Sequence, residues 1–418
     1  MSASVLIAGA GIGGLSAALA FARHGVRAQI IERAADIREV GAGLQLGPNG
    51  FRAFERLGLA KAMDAISFQP KAIRLMDSVE AIELSRQTLG APFEARFGHP
   101  YRVAYRADVQ RVLLEAVRAH PQLVTIGLGD GVRSIAQTDD RVIVTLDSGR
   151  TVSGGALIGA DGLWSTVRDH VRGAEPPRTS GHVAYRHVSP VSQTPATLLS
   201  DDVQVWIGPG HHLVCYKLRG GELFNIVAIF HSERVVQGWD TVGDKAELRR
   251  AFAHACEPVR RLVAEIDQGR VWALCDRDPA PGWSQGRITL LGDAAHPMLP
   301  YLAQGACMAI EDAVSLADAL AAAPDDPSRA FQSYEQARLA RTASVQTAAR
   351  ETGAINHAAG AEREKRNAFL ATRRTDDYEA IAWLFGGDGP RAQDAAGAEI
   401  GIFGRHSPAS GAASAPTA

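Results

Sequence analysis

Cysteine is scarce. Four residues in 418, at positions 215, 256, 275 and 307, include no CxxC pair. That spacing excludes a disulfide framework and a cysteine-built zinc cage, and it suits a reducing cytoplasm. An excess of one charge is missing as well: 44 Lys and Arg stand against 46 Asp and Glu, for a net charge of -2. Nothing here attracts nucleic acid or an anionic membrane surface, so a small-molecule partner is expected. Internal repeats are absent. The most apolar run, VLIAGAGIGGLSAALAFA from Val5 to Ala22, is broken by glycines and preceded by no basic segment. It reads as strand, turn and helix and not as a signal peptide or membrane span.

What is present suffices for a large core. Hydrophobic residues make up 46% and charged residues 22% of the chain, as in soluble globular proteins. The length exceeds what one core usually supports, so two closely packed domains are expected. Residues 4–8 form a short apolar strand, 15–24 an apolar helix with Gly25 at its end, and AQIIER a second strand. This βαβ unit implies a parallel sheet with right-handed crossover. The spacing predicts a helix over 102–119 and two strands in RVIVTLDSG and VSGGALIGADG. From 182 to 276 the pattern changes to alternating strands, with Gly220 and Gly221 at a hairpin turn. ITLLGDAA then returns to the doubly covered type, followed by helices over about 308–323 and 328–352. The expected division is 1–180, first part of an α/β domain with minor insertions; 181–280, mainly antiparallel; 281–404, the rest of the first domain with C-terminal helices; and 405–418, a disordered tail.

Gly9, Gly11 and Gly14 form GxGxxG between strand and helix, and Glu32 closes the second strand 18 residues beyond Gly14. The first glycine permits the tight turn, the second close approach of a pyrophosphate, the third helix–strand packing; the helix N-terminus favours negative charge, and Glu32 would accept ribose hydroxyls. This motif alone does not separate NAD from FAD.

Two further motifs, GADGLWSTVR at 159–168 and GDAAHP at 292–297, follow in an order that resembles the single-component flavoprotein aromatic hydroxylases. The resemblance extends from about residue 4 to 352. It implies a Rossmann-like FAD-binding domain of the p-hydroxybenzoate hydroxylase type, with an inserted antiparallel substrate domain and C-terminal helices. It assigns Asp293 to the FAD ribityl hydroxyls, Asp161 to the backbone near the pyrophosphate and nicotinamide, and Arg106 to the phosphate and ribityl region. It further places Arg33, Gln45, Pro300, Gly305 and Ala306 around FAD. The single GxGxxG is then taken by FAD, so NADH, or NADPH, is a transient electron donor without a Rossmann domain of its own.

Flavin hydroxylation requires reduced flavin to capture O2 as a C4a-hydroperoxide in a dry pocket, and a phenol deprotonated to donate electron density. A phenol near pKa 10 needs a base or relay at neutral pH. On HHLVCYKL, alternation puts His212 and Tyr216 on one face. Within the family, GHVAYR, this His-x-x-x-Tyr strand and YLAQGACMAIEDA look most like the 3-hydroxybenzoate 6-hydroxylases, which form gentisate. That likeness gives His212 and Gln304 the catalytic positions beside the substrate hydroxyl, with Tyr216 supporting. No arginine stands in a motif tied to the pocket, so Tyr301 or backbone amides are the candidates for the carboxylate. Salicylate, 6-hydroxynicotinate and hydroxynaphthoates stay open as substrates. A non-oxygenating flavoprotein dehydrogenase and a non-catalytic FAD-fold binding protein are the readings of another class. A cytoplasmic homodimer, with no nucleic acid and no membrane span, is expected.

Asp293, His296, Gln304, Cys307, Glu311 and Asp312 crowd one stretch and could suggest a metal. One histidine and no second ligand at helical spacing argue against it. Glu311 and Asp312 read instead as acidic residues favouring the start of a helix, and His296 as a loop residue bonded to backbone, with a proton-relay role as the alternative.

Overall fold

The computed structural model describes residues 4–37, 42–233, 241–266 and 270–386; the expected tail at 405–418 lies outside the described residues. Five parallel strands run in the order Ile288–Leu290, Ala156–Gly159, Val5–Ala8, Ala28–Ile31 and Val124–Gly127, with Ser284–Gln285 antiparallel at one edge. Val5, Leu6, Ile7 and Ala8 are buried, as a continuously apolar strand must be when helices cover both faces of its sheet. Parallel strands share a direction, so their C-terminal ends coincide. Gly9, Glu32, Asp161 and Asp293 therefore emerge at one edge of four adjacent strands, the place where open α/β sheets bind ligands. The helices Ile12–Arg23 and Gly305–Ala322 start from this edge and pack against each other.

A second sheet has eight strands, ordered Thr241–Val242, Arg270–Asp276, Arg178–Pro190, Leu223–His231, His211–Leu218, Val203–Gly208, Ala72–Asp77 and Glu83–Thr88. The hairpin at Gly220 and Gly221 joins two of them. This sheet is not wholly antiparallel, because Val203–Gly208 and Ala72–Asp77 pair in parallel. Residues 102–119 also differ from expectation. Arg102–Tyr105 is a strand bonded to Gly43–Leu46, and the helix starts only at Arg106; its apolar spacing could not reveal that distant partner.

The helix Pro327–Asn356 spans both layers, and the Gly210 amide donates to the His357 carbonyl at 3.0 Å just beyond its end. The following helix, Gly360–Leu370, is tied to the second sheet through Asp77. That fully buried carboxylate accepts from Arg363 Nη2 at 2.8 Å, Asn367 Nδ2 at 2.8 Å, and the amides of Val79 and Glu80. Burial alone would raise its pKa, but these donors outweigh it and hold the group down to about 2. A depressed folded-state pKa stabilises above the unfolded value and is lost as pH falls through the folded one; the gap from 3.8 to about 2 is worth about 2 kcal/mol. The stability difference between the protein and Asp77→Asn should be full above pH ~5 and shrink as urea unfolding is followed from about pH 4 toward 2.

Candidate active site

Between the two sheets lies a cavity of ≈ 480 Å³. Its α/β end is built by the glycine turn. Gly9 has φ +102, and a Cβ there would run into the Ala160 carbonyl; a Cβ on Gly14 would run into the carbonyl of Gly9. Gly11 differs: nothing lies within 4 Å of its Cβ position, and it borders the cavity. The helix that Gly11 caps has no side-chain cap, so its first amides are left for a ligand anion. Glu32 braces the turn by accepting from Ala10 N–H at 2.7 Å and Ala34 N–H at 2.8 Å, and each oxygen retains a lone pair for a hydroxyl.

The other two motifs meet beside this turn. Asp161 accepts from the Ser165 hydroxyl and from Val167 N–H, which fixes the start of the helix Thr166–Arg172. Burial raises its pKa. Arg168 of the same motif is buried and donates through Nη1 to the carbonyls of Ala294 at 3.1 Å and Ala295 at 3.3 Å, joining the 159–168 loop to the 292–297 loop. Asp293 opens onto the cavity; surrounding protein raises its pKa, with His296 and Arg106 pulling the other way. Gly305 and Ala306 border the cavity at the start of a second helix without a side-chain cap. Its preceding turn is held by Ala303 at φ +54, a left-handed conformation rare for a residue with a side chain.

These parts fit a flavin dinucleotide. Uncapped amides at two helix starts suit the pyrophosphate and an anionic flavin ring, and Asp293 and Arg106 suit the linker between them. Because Gly11 meets no protein atom, Gly11→Ala should fold normally yet crowd the ligand. The expected loss in FAD affinity, read by flavin titration of the apoprotein, is about 1–3 kcal/mol, or roughly fivefold to 150-fold.

The opposite end is the cavity face of the eight-stranded sheet. His212, Val214 and Tyr216 border the cavity, while His211 turns to the far side and bonds Ser78 at 3.0 Å. Gly43 makes room for Tyr216, since a Cβ there would sit 2.5 Å from its hydroxyl oxygen. Burial pushes the Tyr216 phenol up, while Arg186 and a bond to Gln45 act against that shift. Gln45 also accepts from the Tyr101 hydroxyl at 2.5 Å. His212 is 2% exposed, and burial with neighbouring histidines pushes its imidazole down to about 3. Its Nδ1 lies 2.7 Å from Nε2 of His357, whose Nδ1 lies 3.2 Å from Nε2 of His182; Nδ1 of His182 meets the Tyr301 hydroxyl at 2.7 Å.

Of the residues singled out in the sequence, Gly11, Gln45, Arg106, His212, Tyr216, Asp293, Pro300, Tyr301, Gly305 and Ala306 border one cavity. Gly9, Gly14, Glu32 and Asp161 do not border it, Glu32 is half-buried, and Arg33 is exposed. Gln304 is placed otherwise than expected. It is 2% exposed, does not border the cavity, and its Oε1 accepts from Asn49 Nδ2 at 2.9 Å. Glu311 and Asp312 also depart from the helix-start reading: both are buried and bind Arg338, with Arg341 on Glu311 and His296 on Asp312 at 2.5 Å. His296 thus bonds a carboxylate and not backbone. Among the described residues, no group of three or more His, Cys, Asp or Glu side chains is arranged to hold a metal, and no helix is long and apolar enough to cross a membrane.

Arg186, His182 and His357 were not singled out. Arg186 borders the cavity, its guanidinium 5.2 Å above the Trp272 ring; alternation within VAYRHV could have placed it on one face with Ala184. His357 carries no local signal, since its partner is 145 residues away.

A glycine turn, two uncapped helix starts and a chamber bearing a histidine and a tyrosine suit a dinucleotide cofactor with a small molecule beside it. Residues 2–349 match the family described as FAD binding domain, and the chain belongs to that family. It is 42% identical to a 3-hydroxybenzoate 6-hydroxylase of Polaromonas naphthalenivorans (strain CJ2), over 91% of this chain and 95% of that one. It is 40% identical to a 3-hydroxybenzoate 6-hydroxylase of Klebsiella oxytoca, over 91% and 96% respectively. The fold matches Klebsiella pneumoniae HpxO complexed with FAD and uric acid at TM-score 0.82 and 27% identity, covering 93% of this chain and 97% of that one. The chain is an FAD-dependent aromatic hydroxylase.

Proposed function

We propose that this enzyme converts 3-hydroxybenzoate, O2, a proton and NADH or NADPH into 2,5-dihydroxybenzoate, water and the oxidised nicotinamide. The observation that carries this reading is the pairing of His212 and Tyr216 on the cavity wall facing the flavin-binding edge. The names of the relatives supply the substrate.

Bound FAD, once reduced, supplies activated oxygen. The chain's residues must orient the ring, hold its hydroxyl as phenolate and exclude water. Nδ1 of His212 is engaged with His357, leaving Nε2 for the ring hydroxyl. A neutral imidazole in that position accepts a proton. Phenolate character raises electron density para to the oxygen, at C6 of 3-hydroxybenzoate, which is the carbon to be hydroxylated. Arg186 lies on the same wall, one strand beyond Val227 and two beyond Val214, and supplies a cation for the carboxylate. Tyr301 and Tyr216 bracket the ring. Gln304 acts from behind the wall through Asn49 and not by touching substrate.

In this reading 1–180 and 281–404 hold FAD, while 181–280 with the strands of 72–88 hold the ring. The nicotinamide donor visits without a dinucleotide fold of its own, and the enzyme is a cytoplasmic homodimer of the gentisate route. NADH and NADPH oxidation should be compared across 3-hydroxybenzoate, salicylate, 6-hydroxynicotinate, a hydroxynaphthoate and phenol, with products identified. Preference for 3-hydroxybenzoate over phenol, which lacks the carboxylate, is expected. Turnover of salicylate or 6-hydroxynicotinate in preference to it would replace the substrate named here.

A further inference from the structure

Three imidazoles are bonded in series, from His212 on the cavity wall through His357 to His182, whose second nitrogen meets the Tyr301 hydroxyl. His212 is buried, His357 and His182 are half-buried, and exposed His231 pairs with His182 across the sheet. Each neutral imidazole has one N–H and one acceptor nitrogen, and the series uses both nitrogens of His357 and of His182. It can therefore be polarised in either direction, which is the property a proton path requires.

The backbone builds this series from separate elements. The Gly210 amide fixes the His357 carbonyl next to the hairpin that carries His212. His182 sits where the pairing of Arg178–Pro190 with Arg270–Asp276 slips between Thr179 and Val183, after Gly181 at φ +73; such irregularities re-aim side chains. Gly353 leaves space for Tyr301, because a Cβ would lie 2.5 Å from its ring.

We propose that His357 and His182 relay the substrate's hydroxyl proton from His212 to Tyr301 and water. This rests on the reading that a hydroxyaryl ring binds beside His212. Nε2 of His212 takes the hydroxyl proton, and the proton on its Nδ1 passes to Nε2 of His357. The Nδ1 proton of His357 passes to Nε2 of His182, and that of His182 to the Tyr301 oxygen, whose own proton leaves to water. Every ring ends with one proton, the ring oxygen is phenolate, and water has gained one proton. His212 cannot store the charge, because burial beside other histidines holds its pKa far below neutral, so transfer onward is needed. Burial pushes His357 and His182 down as well. The titratable and charged groups facing this series are His211, His231, Tyr301 and Arg366.

His357 is thus a positioning and relay residue that does not touch substrate. The FAD-loaded protein is mixed rapidly with 3-hydroxybenzoate in weak buffer containing a pH indicator. The parent should release a proton on binding; His357→Phe should release it about tenfold or more slowly, with FAD content unchanged, and added imidazole should restore part of the rate. Tyr301→Phe, which removes only an oxygen, should slow release too and decides the matter if His357→Phe does not fold. A parent that hydroxylates 3-hydroxybenzoate while both variants release the proton at its rate overturns the relay alone. A parent that neither releases a proton nor hydroxylates overturns the reading on which the relay rests.

Discussion

His212→Ala should retain FAD and the fold yet lose ring hydroxylation by about a hundredfold to a thousandfold, the range for a lost general base. FAD should persist because the turn at Gly9–Gly14, Glu32 and Asp293 lie at the other end of the cavity from this strand. The fold should persist because the strand His211–Leu218 is held by backbone pairing on both sides. NADH oxidation should suffer less than product formation, since the imidazole acts on the ring and not on the flavin. Comparing product formed with NADH consumed checks this. Equal loss of both, with loss of flavin, would make His212 a structural residue.

Glu311→Ala should be the most destabilising of the changes considered. The carboxylate is 8% exposed and binds Arg338 Nη1 at 2.7 Å, Arg341 Nε at 2.8 Å and Asn49 Nδ2 at 2.7 Å. Burial would raise its pKa, but the two guanidiniums hold it at about 2. Removing it leaves Arg341, 1% exposed, and Arg338, 4% exposed, short of a counter-charge. Breaking a buried pair in this way costs about 3–5 kcal/mol, read from the denaturant midpoint of the FAD-loaded protein. Gln304 and the start of the helix Gly305–Ala322 hang on the same Asn49, so FAD should also bind more weakly. A midpoint unchanged from the parent would mean that the network adds no stability.

The flavin end was legible in the chain because its signals are local. A strand, a glycine turn and a helix adjoin in sequence, and parallel pairing brings the 159–168 and 292–297 motifs to the same edge. Alternation along HHLVCYKL likewise gave the cavity face of His212 and Tyr216. What escaped depends on partners far away in the chain. The strands Ala72–Asp77 and Glu83–Thr88 join a sheet made mostly of residues more than 100 positions later. Glu311 and Asp312 look like ordinary helix-start acids until Arg338 and Arg341 arrive one helix on. Gln304, set in a sequence that suggests substrate contact, is claimed by Asn49. Periodicity reports which face a residue occupies and is silent on what meets that face.

Oxygen insertion into 3-hydroxybenzoate is tested most directly by a single-turnover mixture of the FAD-loaded protein, NADH, 3-hydroxybenzoate and isotope-labelled O2, analysed by mass spectrometry. The expected product is 2,5-dihydroxybenzoate carrying one labelled oxygen atom. NADH consumed with only labelled hydrogen peroxide formed, or an unlabelled product, would contradict oxygen insertion.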